Sequence, residues 1–352
     1  MQRAPDPASL GAVSDMQLVI GIDGGGSRTR VWLAQLDGSV VGQGMAGGSN
    51  VYQLGIDVST RMIVEAVLAA WTDAGMPGKQ PQGVSALFAG IAGAGATPDQ
   101  QKLAETLART LSVPMARCQV DHDLRVAHAG ALAGMPGVVL VAGTGSACYG
   151  RTVDRQSAKS GGWGPVLDDV GSGHWLGVQA MRAIVRAEDG RGRAFTFTDA
   201  VFTQLYVKSP RQMLDRLRDP SPGGLDRPAI ARLAPIVITA AASGDAVAEA
   251  IVEAGAQELA LMVETVLSRL GLDVHPVGRV SCAGGLLENQ EFYLERVDEA
   301  ITRLVPAVHL ERPGLPPVAG AVLLALELAG RPAGSAVVTR LLDGMEATED
   351  IA

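Results

Sequence analysis

Three glycine turns, each placed directly after an apolar run, are the segments of this chain best suited to chemistry. They read Asp23-Gly24-Gly25-Gly26-Ser27, Gly143-Thr144-Gly145-Ser146 and Ala283-Gly284-Gly285. Glycine has no Cβ, so its backbone N–H groups can approach an anion closely, and Ser or Thr hydroxyls add further donors. Any single turn could be an ordinary tight turn in a chain with 44 glycines. Together, the three predict a polyphosphate site with Asp23 on its magnesium side.

Other nucleotide and metal motifs fail. The chain contains no GxxxxGK[ST] sequence, which excludes a P-loop. The segment 42–47 matches GxGxxG, but it ends a predicted hairpin and does not join a strand to a helix, so we interpret it as a chance match. His122, His128 and His174 lack the HExxH or paired-cysteine context of a zinc site.

Composition narrows the function classes. The 352 residues suit two domains, and a hydrophobic fraction of 47% with only 4% aromatics favours helices packed on sheets. A net charge of −8 argues against nucleic acid and anionic membranes as partners, because both would repel the chain.

The cysteines and the termini indicate an intracellular protein. Cys118, Cys148 and Cys282 form no CxxC pair, which excludes a zinc ribbon or thioredoxin-type site and argues against a disulfide framework. Residues 1–15 lack the apolar core of a signal peptide, and no stretch reaches membrane-spanning length without a charge or a breaker. We therefore expect a cytoplasmic protein with a disordered tail at 1–15.

The elements that must position the turns follow a repeated order. Apolar runs and turn signals predict strands at 18–22, 29–34, 39–44, 84–88, 115–120, 138–142, 148–152 and 277–283. Helical spacing predicts helices at 56–74, 98–111, 123–132, 173–187, 228–242, 245–271, 290–305 and 317–329. The order of a hairpin followed by alternating helices and strands occurs twice in the chain. It predicts two related α/β halves with a ligand cleft between them, at the carboxyl ends of the strands.

Four motifs make the resemblance specific. DGGGSRTR, VAGTGSACYGR, GGWGPVLDDVGSGHW and VSCAGGL, in this order and spacing, resemble the N-acetylglucosamine kinase branch of the sugar kinase/actin/Hsp70 superfamily, the branch that also holds the BadF/BadG-type ATPases. The resemblance spans about residues 17–330. It implies an α/β fold of two ribonuclease H-like domains that close over a sugar and ATP. The domains are expected at 16–130 and 131–315, with a helix at 316–330 packed back on the first and a tail at 331–352.

The resemblance also assigns roles to the glycine turns. Phosphate loop one falls on Asp23, Gly25, Gly26, Ser27 and Thr29, with Arg28 at a position that is commonly basic, and Asp23 is on the magnesium side. Phosphate loop two falls on Gly143, Thr144, Gly145 and Ser146, and the adenosine-side turn falls on Gly284 and Gly285.

Sugar binding and proton transfer fall on other residues of the same motifs. The resemblance places the sugar against Asn50, Gly145, Trp163 and Asp169, and the general base on Asp123 in the sequence Val120-Asp121-His122-Asp123. A carboxylate at a strand-to-helix junction is rigid and suited to accept the proton of an attacking hydroxyl. Asp121 is the rival for this role, and simple capping of the helix is the structural alternative for Asp123.

Two positions depart from the family pattern, both on the acceptor side. Val170 stands where the family usually has Glu, and Ala147 follows the second phosphate loop where some relatives have Asn.

The sequence therefore predicts an ATP- and Mg²⁺-dependent kinase of N-acetylglucosamine or glucosamine. We expect a homodimer that binds neither nucleic acid nor membrane. One alternative is a BadF/BadG-type ATPase that acts on a protein partner through an iron–sulfur cluster, for which the three cysteines lack a cluster motif. The other is a sugar-responsive regulator without catalysis, for which residues 1–15 are too short to hold a helix-turn-helix.

Overall fold

The structure, a computed structural model, describes residues 17–78, 81–221, 224–272, 278–332 and 334–349. The predicted tail at 1–15 lies outside the described residues. The chain forms two compact units. The first takes in the described residues of Met1–Met135 and Gly314–Ala352, and the second is formed by Pro136–Pro313.

The first unit is built on a mixed five-stranded sheet. Its strands are Leu18–Gly24 (β1), Arg28–Gln35 (β2), Val40–Gly47 (β3), Val84–Ile91 (β4) and Cys118–His122 (β5). They lie in the order β3-β2-β1-β4-β5, with β1, β2 and β3 antiparallel and β4 and β5 parallel to β1. Its first three helices are Val51–Asp73 (α1), Thr97–Thr110 (α2) and Asp123–Ala131 (α3).

The second unit repeats this sheet. Its strands are Gly137–Ala142 (β6), Ser146–Arg151 (β7), Ser157–Gly161 (β8), Val280–Ala283 (β9) and Leu310–Glu311 (β10), in the order β10-β9-β6-β7-β8. Again the first three strands are antiparallel and the last two run parallel to the first. The predicted α/β class and the predicted repeat of the element order are confirmed.

Helices fill the chain between β8 and β9 and between β9 and β10, and they cover the second sheet. They are Gly173–Glu188 (α4), Thr198–Leu205 (α5), Pro210–Arg218 (α6), Arg227–Ala231 (α7), Ala234–Ala242 (α8), Ala246–Leu270 (α9), Gly285–Asn289 (α10) and Glu291–Leu304 (α11). Buried side chains of α4, α8, α9 and α11 form one core with those of β6, β7 and β9.

Alternation along β1 decides where its last side chain lies. Leu18, Ile20 and Ile22 join the core that contains α1 and α2, whereas Val19 joins the core on the opposite face with α3. Because successive side chains of a strand alternate in direction, Asp23 falls on the same face as Val19. The carboxyl end of β1 therefore delivers a carboxylate to the side of the sheet that α3 covers.

The helix Pro317–Leu328 (α12) packs on that same face, and a glycine stands at each point where its backbone comes closest to α3 and β1. A Cβ added to Gly320 would lie 2.2 Å from the carbonyl oxygen of Val126 in α3, and one on Gly21 would lie 2.5 Å from the amide nitrogen of Val322. Backbone-to-backbone packing of this kind is possible only with glycine. It brings α3 and α12 close enough to cover β1 and β4 together.

The C-terminal segment corrects the sequence interpretation. Residues 331–352 are predicted as a loose tail, but Ser335–Glu349 forms a helix (α13). Leu341 is buried and Val337 and Val338 pack on the same core, at helical spacing. The Gln43 side chain donates from Nε2 to the carbonyl of Gly344 at 3.0 Å, so α13 is tied to β3.

Other differences are local. The sequence interpretation missed β8, β10, α5 and α6, and the predicted helix at 228–242 is two helices, α7 and α8. The predicted strand at 115–120 begins instead with a 3-10 turn at Met115–Arg117. Within the described ranges no single helix is long and apolar enough to cross a membrane; Arg227–Ala242 and Ala246–Leu270 meet that length only together, and they are bent by 116°.

Candidate active site

Asp23, at the end of β1, has an unusual electrostatic environment. Its side chain is only 15% exposed, and burial raises its pKa from 3.8 to about 6. Arg30, whose Nη1 lies 3.6 Å from Asp23 Oδ2, lowers this pKa in part, whereas the nearby charge of Asp123 raises it. Asp23 and Asp123, which lie 100 positions apart in sequence, therefore act on each other electrostatically in the fold.

The turn after Asp23 exposes its backbone. The Gly25 amide donates to the carbonyl of Arg28 at 2.8 Å, which closes the bend between β1 and β2. Gly26, Ser27 and Arg28 are exposed, and Gly25 is half-buried. A phosphate loop requires accessible N–H groups, for which the exposed residues of this turn are suited, and its role as phosphate loop one stays a prediction.

Thr29 and Asn50 connect this turn to α1. Thr29 is fully buried, and its hydroxyl contacts the Gly47 carbonyl at 2.7 Å and the Ser49 hydroxyl at 2.9 Å. These internal partners make Thr29 a support for the segment that leads to Asn50, and its predicted phosphate contact stays a prediction. Asn50 caps α1 by accepting the Gln53 amide on Oδ1 at 3.2 Å. Its predicted sugar contact would use the Nδ2 donor of the same side chain.

The two candidates for the general base differ in their surroundings. Asp123 is the first residue of α3, and its Oδ1 accepts the Leu124 amide at 3.1 Å. Asp121 Oδ1 instead accepts the His122 amide at 2.8 Å and lies 3.5 Å from the Gln100 side-chain nitrogen. Asp123 is the one whose charge reaches Asp23. This electrostatic interaction with Asp23 favours Asp123 over Asp121, and the general-base role stays a prediction.

In the second unit, the turn between β6 and β7 packs against the N-terminus of α4. The Gly143 amide donates to the Gly145 carbonyl at 2.9 Å, so this hydrogen bond closes the turn. The amides of Gly173 and His174, in the first turn of α4, donate to the carbonyls of Gly143 and Thr144 at 2.8 and 3.4 Å. These bonds use the turn's carbonyls and leave Thr144 exposed. These bonds fix the conformation of the turn, and its role as phosphate loop two stays a prediction.

Asp169 holds the same turn from another side. It is 3% exposed and has a left-handed backbone (φ 60°), and its Oδ1 accepts the Ser146 amide at 3.4 Å. Its Oδ2 forms an ion pair with Arg227 Nη2. The Ser146 hydroxyl donates to the Val170 carbonyl at 2.8 Å. Asp169 is predicted to contact the sugar; that contact stays a prediction, and the described partners of its carboxylate are internal.

The third turn lies beside the second. Gly284 has φ 95°, and a Cβ on it would lie 2.6 Å from the Ala142 carbonyl oxygen, so only glycine fits this bend. Its amide donates to Glu288 Oε1 at 2.6 Å. A Cβ on Gly143 would lie 3.9 Å from the Gly285 amide nitrogen, which shows that the two turns are neighbours. The predicted phosphate loop two and adenosine-side turn are thus adjacent in the structure.

Trp163 projects from a glycine-rich segment. Its side chain is 76% exposed, and the flanking Gly162 and Gly164 both have positive φ. The Trp163 amide donates to Asp168 Oδ2 at 3.3 Å. Its predicted place in the sugar pocket stays a prediction.

The positions of the three cysteines bear on the iron–sulfur alternative. Cys118, Cys148 and Cys282 are buried in β5, β7 and β9, and burial raises the pKa of each thiol. A cluster shared between subunits needs accessible thiolates, so these positions do not suit one. Across the described ranges, no group of three or more His, Cys, Asp or Glu side chains could hold a metal ion by itself.

Sequence reasoning missed three supporting residues. Arg30 and Arg227 pair with Asp23 and Asp169, and Ser49 bonds to Thr29. Register could have found Arg30, since it lies opposite Asp23 across the β1–β2 hairpin. No local signal joins Arg227 to Asp169, because 58 positions separate them.

Comparisons with known proteins place the chain among sugar kinases and their relatives. It is 31% identical over 310 residues to the N-acetylmuramic acid/N-acetylglucosamine kinase of Clostridium acetobutylicum, covering 88% of this chain and 98% of that protein. It is 25% identical over 318 residues to the N-acetyl-D-glucosamine kinase of Dictyostelium discoideum, covering 88% and 98% of the two chains.

A solved structure gives the same picture. The crystal structure of a candidate N-acetylglucosamine kinase from Chromobacterium violaceum aligns with a TM-score of 0.72 at 26% identity, covering 88% of this chain and 99% of that one. This similarity confirms the predicted fold class of two ribonuclease H-like domains. The model of the BadF/BadG/BcrA/BcrD ATPase family matches residues 20–325, which span both units. The chain belongs to the BadF/BadG/BcrA/BcrD ATPase family.

Proposed function

We propose that the chain transfers the γ-phosphoryl group of ATP to a hydroxyl of N-acetylglucosamine or glucosamine. The observation that carries the proposal is the pair of interacting carboxylates Asp23 and Asp123, one buried at the end of β1 beside a glycine turn and one at the start of α3. The kinase names of the relatives in Clostridium acetobutylicum and Dictyostelium discoideum support the same reaction class. The homodimeric state and cytoplasmic location expected from the sequence are part of the proposal.

In the proposed reaction, Asp123 is the general base. Its carboxylate accepts the proton of the sugar hydroxyl while the hydroxyl oxygen forms a bond to the γ-phosphorus. The bond between that phosphorus and the β,γ-bridging oxygen breaks, and ADP leaves with the bond's electron pair. The position of Asp123 in the first turn of α3 fixes the carboxylate and also stabilises its negative charge through the helix dipole.

Asp23 fits the magnesium ion that such a reaction requires. Its carboxylate is buried near a second negative charge, and burial and Asp123 raise its pKa, so a divalent cation would relieve the repulsion. Because no described cluster could hold a cation alone, the remaining oxygen ligands would come from the phosphates and water. When bound, magnesium supplies positive charge for the phosphate oxygens. The exposed residues Gly26 and Ser27 would offer N–H donors to the same phosphates.

The nucleotide turns of the second unit complete the proposed machinery. The backbone amides of Thr144 and Gly145 would hold phosphate oxygens beside Gly143, whose own amide is bonded to the Gly145 carbonyl. The bend at Gly284 and Gly285 would face the adenosine side. Asn50, Trp163 and Asp169 would orient the sugar, as the resemblance implies.

Substrate choice tests the proposed function itself. Purified protein with Mg·ATP should release ADP with N-acetylglucosamine or glucosamine, and much more slowly with glucose, since glucose has no amino substituent. A coupled assay of ADP release over these sugars, N-acetylmannosamine and N-acetylmuramic acid measures this, with a no-sugar reaction as the control for simple ATP hydrolysis. ADP release that is independent of every sugar would contradict the proposal.

Asp123→Asn tests the general base. Replacing the carboxylate by an isosteric amide removes the proton acceptor, so kcat should fall about 10²–10⁴-fold. Circular dichroism and thermal unfolding should show a folded variant, because the amide oxygen can still accept the Leu124 amide. Asp121→Asn is the matched control and should stay within about threefold of wild type, since no proton transfer passes through it. Equal losses in both variants would remove the assignment.

Asp23→Asn should separate stability from activity. The pKa of about 6 in the folded state lies above the ordinary 3.8, so the fold favours the protonated acid, and this carboxylate destabilises the protein increasingly as pH rises through 6. Without nucleotide, the variant should therefore gain stability, about 2–3 kcal/mol at pH 7.5 and about half that at pH 5. Urea unfolding at both pH values measures the gain.

The same variant should lose catalysis, because the amide cannot hold magnesium as a carboxylate does. Opposite changes in stability and activity are the signature of a strained functional group. An equal change in stability at pH 5 and pH 7.5 would show that the charge of Asp23 is not the cause.

A further inference from the structure

Arg227 lies against the Gly143–Ser146 turn but belongs to none of the motifs that carry the resemblance. It is the first residue of α7, which begins at the N-cap Asp226. A Cβ on Gly145 would lie 2.5 Å from Arg227 Nη2 and 3.2 Å from Asp169 Oδ1. The guanidinium therefore contacts the turn closely where glycine leaves room for it.

The pairing of Arg227 with Asp169 links three segments. Asp169 accepts the Ser146 amide of the turn on Oδ1 and pairs with Arg227 on Oδ2, so one carboxylate bridges the turn and α7. The Asp169 carbonyl also accepts the Ser172 amide at 3.1 Å, and Ser172 caps α4. Since the first amides of α4 bond to the turn's carbonyls, the turn is held from both sides.

The Arg227 side chain is not fully satisfied by these contacts. It is 30% exposed, yet its Nε is buried and has no hydrogen-bond partner within the described part of the chain. A buried donor without a partner is rare in native structures and calls for an explanation. Arg presents several N–H donors in a fixed plane, so one face can bind Asp169 while another donor serves a bound oxygen or water.

His174 cannot replace Arg227 as the positive partner of Asp169. Burial lowers the pKa of His174, and the charge of Arg227 lowers it further, while Asp169 opposes both. The imidazole is therefore neutral near pH 7. Arg227 is therefore the cation that pairs with the buried Asp169 carboxylate.

We propose that Arg227 is a positioning residue for nucleotide binding: through Asp169 and its contact with Gly145, it fixes the Gly143–Ser146 turn in the conformation that binds phosphate. This inference rests on the proposed function, since it assumes that the turn binds the phosphates of ATP. Arg227 acts through the turn and does not take part in the chemistry. Its loss should weaken binding of the phosphates and leave binding of the nucleoside unchanged.

The test measures binding of Mg·ADP and of adenosine by calorimetry. Arg227→Met should weaken Mg·ADP binding about tenfold or more, because a misplaced turn loses charge-assisted bonds to phosphate. Arg227→Lys should recover part of the loss, since it restores the charge but not the planar fork. Adenosine binding should stay within about twofold in all variants, a split that general destabilisation would not produce.

Two further variants keep the test decisive. Arg227→Met leaves Asp169 buried without a partner and can unfold the protein, so the double variant Arg227→Met/Asp169→Asn removes both charges together. Once shown to be folded by circular dichroism, it should still bind Mg·ADP more weakly than wild type. Arg211→Met is the matched control, because that exposed arginine pairs only with Asp215 on its own helix in the described structure, and it should bind as wild type does.

The outcomes are distinct from those of the kinase assay. Wild-type affinity for Mg·ADP in the folded double variant, or an equal loss of ADP and adenosine binding, would overturn the role of Arg227. A chain that binds Mg·ADP as described but phosphorylates no sugar would contradict the proposed kinase function and leave this inference standing.

Discussion

A buried carboxylate held near a second carboxylate is the constraint on which the account of the first unit depends. Asp23 is placed on the α3 side of its sheet by strand alternation, and α3 begins with Asp123. Burial and Asp123 both oppose ionisation of Asp23, and among the residues that the structure describes Arg30, half exposed, offsets them. A fold selected for stability alone would place an apolar or neutral residue there. Perturbed acids of this kind accumulate at functional sites, and this is the physical basis for assigning one here.

The two units have the same sheet topology, but the charges at their glycine turns differ. Each has a glycine turn between its first two strands, but β1 ends in Asp23 and Gly24, whereas β6 ends in Ala142. In the second unit the carboxylate arrives from Asp169, outside the sheet, and Arg227 neutralises it. The proposed function uses this difference, with a cation and its phosphates at the first turn and phosphate oxygens on backbone amides at the second.

Much of the fold was visible in the sequence because apolar runs ended in glycine. The strands before Gly24, Gly143 and Gly284 were predicted on that pattern, and the structure has them. β8 was missed because Ser157–Gly161 has almost no apolar residues to mark a strand. The sequence does carry a signal for α13 that the interpretation overlooked, since Val337, Val338 and Leu341 stand at helical spacing.

The residues of the candidate site that belong to local sequence motifs were predictable. Asp23, Asp123 and the turns stand in recognisable sequence contexts, but side-chain partners depend on the tertiary fold. Burial of Thr29 and the pairing of Asp169 with Arg227 follow from segments that are distant in sequence, so no local pattern contains them. The structure accordingly adds supporting residues more than new candidates for the chemistry.

The pKa of Asp23 is the quantity that tests this account most directly. Carboxyl-labelled aspartate, followed by carbon NMR as pH is varied, reports the titration of Asp23 in the protein without nucleotide, with Asp23→Asn identifying its signal. The account predicts a pKa of about 6 that falls when Asp123 is replaced by Asn and stays above 3.8, because burial is the larger cause. A pKa near 3.8 in the wild-type protein, or one that does not respond to Asp123, would contradict the carboxylate pair.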